Sequence, residues 1–201
     1  MELTRENAWA LLTEFVKAEP LLKHCLGVEA SMRHYAVLFN EDVERWGFIG
    51  LLHDFDFEIH PTLDQHPQEG APILRERGVP EEVIQSILSH ADHLDVPRPG
   101  RLEKTLAAVD EMSGFVTAVA LVRPNKSIDE VTPQSVRKKM KDKAFARAVD
   151  RAAMTEAAAG LGIEFDEHIQ HVIEAVATIA PRLGLSRTAD TEQPVVAATG
   201  G

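Results

Sequence analysis

The chain has 201 residues, 44% of them hydrophobic, which is enough for one sizeable core and short for two full domains. Its formal charge of −11 excludes the broad basic surface that nonspecific nucleic-acid or anionic-membrane binding requires, so any anionic ligand has to be met by a local basic cluster. The lone Cys25 excludes an internal disulfide and a multi-cysteine zinc cluster, leaving imidazoles and carboxylates as the route to a metal.

No stretch approaches the roughly 20 apolar residues of a membrane span. The start MELTRENAWALL lacks the basic region and cleavage pattern of a signal peptide, and the expected location is the cytoplasm.

Helical spacing runs through the chain without a convincing alternating strand pattern, so the expected fold class is all-α. Thr4 can cap a first helix reaching about Lys17. Pro20 suits the first turn of a second helix over 20–39, and a third follows over roughly 42–54. PQEGAPILRERG and PEEVIQSILSHA read as two short helices, the first ended by Gly78. After the loop DVPRPG at 95–100 comes a long helix over about 101–122. Thr132-Pro133 then opens a helix running to about Arg151, and a last one spans about 165–183. Beyond about Ser186 the tail lacks periodicity and aromatic residues, so 186–201 is expected to be disordered and 1–185 to form one helical domain.

The third helix ends in GFIGLLHD, where His53 and Asp54 follow residues that are apolar on nearly every side. A helix of that composition is buried all round. An ionised carboxylate there costs several kcal/mol unless it is paired or bound to a metal. At about 100° per residue, Asp110 shares a face with Leu102, Leu106, Ser113 and Thr117, His90 falls on the stripe of Val83 and Ile87, and His24 on that of Leu21, Val28 and Ser31. A single core histidine is usually structural and a lone inward Asp usually a cap or ion-pair partner. Here Lys and Arg are absent from the helical faces of both acids, and the inward groups recur on four helices. Imidazole plus carboxylate without thiolate suits a divalent ion such as Mn, Fe, Ni, Co or Zn, with Mg as an alternative.

With His24 in KHCLGVEA, the doublet in GLLHDFD and Asp110 in AVDEMSG, the chain resembles the HD superfamily of metal-dependent phosphohydrolases, all-helical proteins named for their His-Asp doublet. The resemblance covers about residues 20–120. Many relatives read HDIGK where this chain has HDFDFE, so roles tied to that glycine and lysine do not carry over. The stretches AVDEMSGFVTAVALVRPNKSIDEV and SVRKKMKDKAFARAVDR are similar to a subgroup of predicted hydrolases within the HDIG-type relatives. The resemblance implies His24, His53, Asp54 and Asp110 as metal ligands. Some relatives add two histidines between doublet and final aspartate, with the doublet aspartate bridging a second ion. His66 and His90 sit at the corresponding places, and an exposed loop position is the competing reading for His66.

The segment NKSIDEVTPQSVRKKMKDKAFARAVDR carries eight basic residues in an acidic protein. On one continuous helix Val136, Met140, Lys143 and Arg147 fall within about 60° of one another. Two readings follow: a solvated face whose stems cover the core, or a phosphate clamp of Lys143 and Arg147 assisted by Lys126 or Lys139.

Together these readings imply hydrolysis of a phosphate ester or anhydride in a nucleotide or another small phosphorylated metabolite, with one or two divalent ions. Asp54 belongs to the catalytic centre, and Glu29, Asp56, Glu58 and Glu69 are the nearest carboxylates for proton transfer, of which Glu58 and Glu69 are taken forward. A small phosphorylated substrate and no membrane or nonspecific nucleic-acid partner complete the expectation, with self-association into a homo-oligomer left open. The rivals are a di-iron oxygenase using dioxygen and all six ligands, and a non-catalytic nucleotide-binding sensor.

Overall fold

The organising element is the 21-residue helix α2 (Glu19–Phe39), which packs against α3 (Val43–Leu52), α6 (Arg101–Leu121) and α9 (Phe165–Thr178). The computed structural model describes residues 1–147 and 149–186; the tail expected to be disordered lies, but for Ser186, outside them. Among the described residues all regular structure is helical, and no helix is long and apolar enough to cross a membrane.

Helix α1 (Arg5–Phe15) is capped by the Thr4 hydroxyl, which accepts from Asn7 N–H, and it lies against α3. The approach of α3 to α2 depends on Gly50: a Cβ there would stand 2.8 Å from Met32 Cγ and 3.1 Å from the Val28 carbonyl oxygen. The short helices α4 (Gly70–Glu76) and α5 (Glu81–Leu88) follow. Ser86 on α5 donates to Glu103 Oε1 at 2.9 Å, while Glu103 Oε2 accepts from the Gly100 N–H at 3.1 Å. One carboxylate thus docks α5 on α6 and closes the α6 N-terminus.

Three helix boundaries differ from the sequence reading. Helix α3 ends at Leu52, so His53 is its C-cap and Asp54 begins the turn that follows. The helix expected from Thr132-Pro133 to Arg151 stops at Met140 as α7 (Pro133–Met140), because Asp142 Oδ1 accepts from the Ala144 and Phe145 N–H groups. Such a local side-chain bond competes with helix propagation. Arg151 then donates to the carbonyls of Met140, Asp142, Phe145 and Val149, gathering the turn, and Asp150 caps a helix missed in the sequence, α8 (Arg151–Gly160). The alanine-rich AAMTEAAAG offers too few large apolar residues for a periodic signal. The last expected helix divides into α9 and α10 (Ala180–Leu183), with Pro181, which has no N–H, near the start of the second piece.

Candidate metal centre

Three segments bring four donors to one place. His24 comes from the second turn of α2, His53 and Asp54 from the end of α3, and Asp110 from the middle of α6. His24 Nε2 lies 3.1 Å from His53 Nε2, 3.1 Å from Asp110 Oδ1 and 3.4 Å from Asp54 Oδ2. His53 Nε2 is 3.4 Å from each of the same two carboxylate oxygens. A second group meets the other Asp54 oxygen: Oδ1 is 3.2 Å from His66 Nε2 and 3.4 Å from His90 Nε2, and those two nitrogens are 3.2 Å apart.

These spacings suit metal ions. Donors bound at about 2.1 Å stand roughly 3.0 Å apart at right angles and roughly 3.4 Å apart in a tetrahedron. Three imidazoles are oriented by their other nitrogen: His53 Nδ1 meets the Gly50 carbonyl at 2.9 Å, His90 Nδ1 the Ile87 carbonyl at 2.6 Å, and His66 Nδ1 Asp56 Oδ1 at 2.9 Å. In each case an N–H on Nδ1 leaves the Nε2 lone pair facing the centre. His66 is buried, which removes the exposed-loop alternative.

The electrostatics show what the pocket demands. Burial works against charge on His24, yet hydrogen bonding to Asp110 and Asp54 outweighs it and raises the imidazole to about 9. His66 is raised to about 9 against its burial by Asp54 and Asp56. Burial would push Asp54 and Asp110 up, but His53 and His24 hold both well below the carboxylate range. Protons on histidines therefore neutralise the two aspartates in the metal-free protein, and a divalent cation would supply the same charge. The donors fit such an ion in type, spacing and orientation, as one group of His24, His53, Asp54 and Asp110 and a second of Asp54, His66 and His90.

A cavity of about 990 Å³ opens above these donors, walled by Arg98, Lys104, Glu111, Asp150 and the exposed His93 among others. Arg98 is held at the rim by the carbonyls of Ser89 at 2.7 Å and His90 at 3.1 Å. Desolvation by the cavity wall, then the charge of Asp110, push the Glu111 carboxyl up to about 7, while its opening to solvent screens both effects.

The two glutamates taken forward as proton carriers lie elsewhere. Glu58 Oε2 accepts the N–H groups of Lys17 at 2.8 Å and Ala18 at 3.0 Å, and exposed Glu69 immediately precedes α4; neither lines the cavity. Glu29 is buried against Arg5 and Arg33, and Asp56 holds His66. The clamp geometry also fails, since Lys143 and Arg147 lie beyond the end of α7 and point from exposed turns. Lys139 sits over the Phe145 ring at 4.8 Å and Lys126 is exposed; none of the four lines the cavity. Sequence reasoning passed over Arg98, Lys104 and Glu111. The stripe Lys104, Ala107, Glu111 and Gly114, beside the face of Asp110, was the available signal on α6.

The HD domain family model matches residues 21–152, and the chain belongs to that family of metal-dependent phosphohydrolase-type domains. No curated protein and no solved structure matches the chain.

Proposed function

We propose that the protein hydrolyses a phosphate ester or anhydride in a small phosphorylated metabolite, using two divalent ions. The observation that carries this reading is the Asp54 carboxylate, which turns one oxygen to His24 and His53 and the other to His66 and His90 at the floor of the cavity. His24, His53, Asp54 and Asp110 would hold one ion, and Asp54, His66 and His90 the other; bound there, they would supply Lewis acidity at a phosphoryl oxygen and make water nucleophilic near neutral pH. Arg98 and Lys104, on the cavity wall, receive the negative charge of the substrate. Glu111 adjoins Asp110 on the same wall, and its carboxylate is the group we assign to proton transfer.

Inorganic phosphate released from a panel of phosphorylated metabolites, in the presence of Mn, Mg, Co, Ni, Zn or Fe ions in turn, tests the reading. Release that disappears in the Asp54→Ala and Asp110→Ala variants is the expected result. The same bridging by Asp54, with both His66 and His90 in place, favours one second reading: a di-iron centre that oxidises a small substrate. Dioxygen consumption by the iron-loaded protein, without phosphate release from any member of the panel, would decide for it.

A further inference from the structure

Three metal-ligating side chains meet on a different face of α2. His34 Nε2 lies 3.0 Å from His171 Nδ1, and Glu174 Oε2 lies 3.9 Å from each of these nitrogens. His34 projects from α2 three turns beyond His24, while His171 and Glu174 stand one turn apart on α9. None of the three is among the donors around Asp54. We propose that His34, His171 and Glu174 form a separate site for a borderline divalent transition ion, of the zinc or nickel type, which ties α9 to α2.

The nitrogen separation matches the roughly 3.0 to 3.4 Å between donors on one ion. Glu174 is half exposed and needs to swing inward by only about half an ångström to complete that spacing. The imidazoles are held in place around it. His171 packs edge-on to Tyr35 with ring centroids 5.5 Å apart, and its Nε2 points toward Glu167 Oε1, 3.8 Å away, while Nδ1 faces His34. His34 also meets the Tyr35 ring edge-on at 6.0 Å. Two imidazoles and one carboxylate with a solvent-open side suit a tetrahedral ion whose fourth ligand is water.

Zinc alone is the probe. Full-length parent, His171→Gln, His34→Gln and Glu174→Gln proteins are saturated with zinc, freed of excess ion by gel filtration and analysed for metal content. The parent is expected to carry one zinc per chain more than either histidine variant. Glu174→Gln is expected to bind that zinc more weakly, by at least the roughly tenfold that loss of an outer-shell partner causes. Because Glu174 is half exposed, this variant carries the test should a histidine variant fail to fold. Anomalous scattering at the zinc edge should place the ion between His34 Nε2 and His171 Nδ1 in both the parent and Asp54→Ala. Survival of that peak in Asp54→Ala makes the result independent of the phosphohydrolase reading. Equal zinc content in the parent and all three folded variants, or no peak at this position, would reduce the contact to a histidine–histidine hydrogen bond and overturn the proposal.

Discussion

The Nδ1–H of His66 donates to Asp56 Oδ1 at 2.9 Å, and both side chains are buried. This bond fixes which imidazole nitrogen meets Asp54, so Asp56 would act through His66 on the second ion of the proposed pair. Asp56→Ala should weaken binding of that ion about 10- to 100-fold, the usual loss when an outer-shell partner of a ligating histidine is removed, and leave the ion at His24 in place. Gly70→Ala offers a second approach to the same carboxylate, because a Cβ there would stand 2.6 Å from Asp56 Oδ2. Metal titration by calorimetry checks both variants. Two undiminished binding steps in Asp56→Ala would show that the contact only fills space.

Asp54→Ala should strip both ions, since each group of donors relies on one of its oxygens. In the metal-free protein the fold should persist, because removing a buried carboxylate also removes its desolvation cost. His24, His53 and His66 then lose a charge that holds their protons, and their proton affinities fall. Elemental analysis together with circular dichroism separates loss of metal from loss of structure. A folded variant with full metal content would refute the bridging role.

Much of this centre was legible because its donors lie on or at the ends of regular helices. For His24, His90 and Asp110, counting at about 100° per residue predicts inward-facing side chains, and the structure brings them together around the doublet. His66 had no such signal, because it belongs to an irregular segment between α3 and α4 and is oriented by Asp56, ten residues away. The clamp failed for the opposite reason. Helical counting was extended across Asp142, where the side chain captures two backbone N–H groups and the chain turns. Arg98 lies in DVPRPG, where no periodicity exists to orient a side chain, and its place is set by the Ser89 and His90 carbonyls.

His168 should make stability depend on pH. It is fully buried between Tyr35 of α2, whose hydroxyl is 2.7 Å from Nδ1, and the Ala108 carbonyl of α6, 3.0 Å from Nε2, with His171 on its own helix. Burial outweighs the Ala108 hydrogen bond and lowers the imidazole to about 4, against about 6.5 in the unfolded chain. Between these values the unfolded state binds more protons, so stability rises with pH. The contribution is complete above about pH 6.5, declines as the pH falls, and is gone below about 4; it is on the order of 3 kcal/mol. His24, His53 and His66 have the opposite sign in the metal-free protein, their contribution being lost as pH rises above the unfolded value. Urea midpoints of the parent minus those of His168→Gln therefore isolate the effect. A difference that stays constant from pH 7 to 4.5 would refute it.

The cavity wall makes the last prediction. If Arg98 and Lys104 receive the substrate phosphate, each removal costs a charge-assisted contact of about 1.5 to 3 kcal/mol, or roughly a 10- to 100-fold loss in kcat/KM. Lys104→Ala is the cleaner variant, because Arg98 also holds the His90 carbonyl and its loss can disturb a ligand of the proposed second ion. Arg98→Lys keeps the charge but gives up the fork that reaches two carbonyls, and should recover only part of the activity. Lys143→Ala and Arg147→Ala alter exposed side chains that do not line the cavity and should change kcat/KM by no more than the equivalent of about 0.5 kcal/mol. Metal content should equal the parent's in the lysine variants and in Arg147→Ala, so a fall in turnover with Lys104→Ala reports on substrate. Phosphate release from whichever metabolite the parent cleaves measures all four variants. Equal turnover by Lys104→Ala and the parent would assign the wall to solvent, whereas a loss confined to Lys143→Ala and Arg147→Ala would restore the basic segment as the clamp.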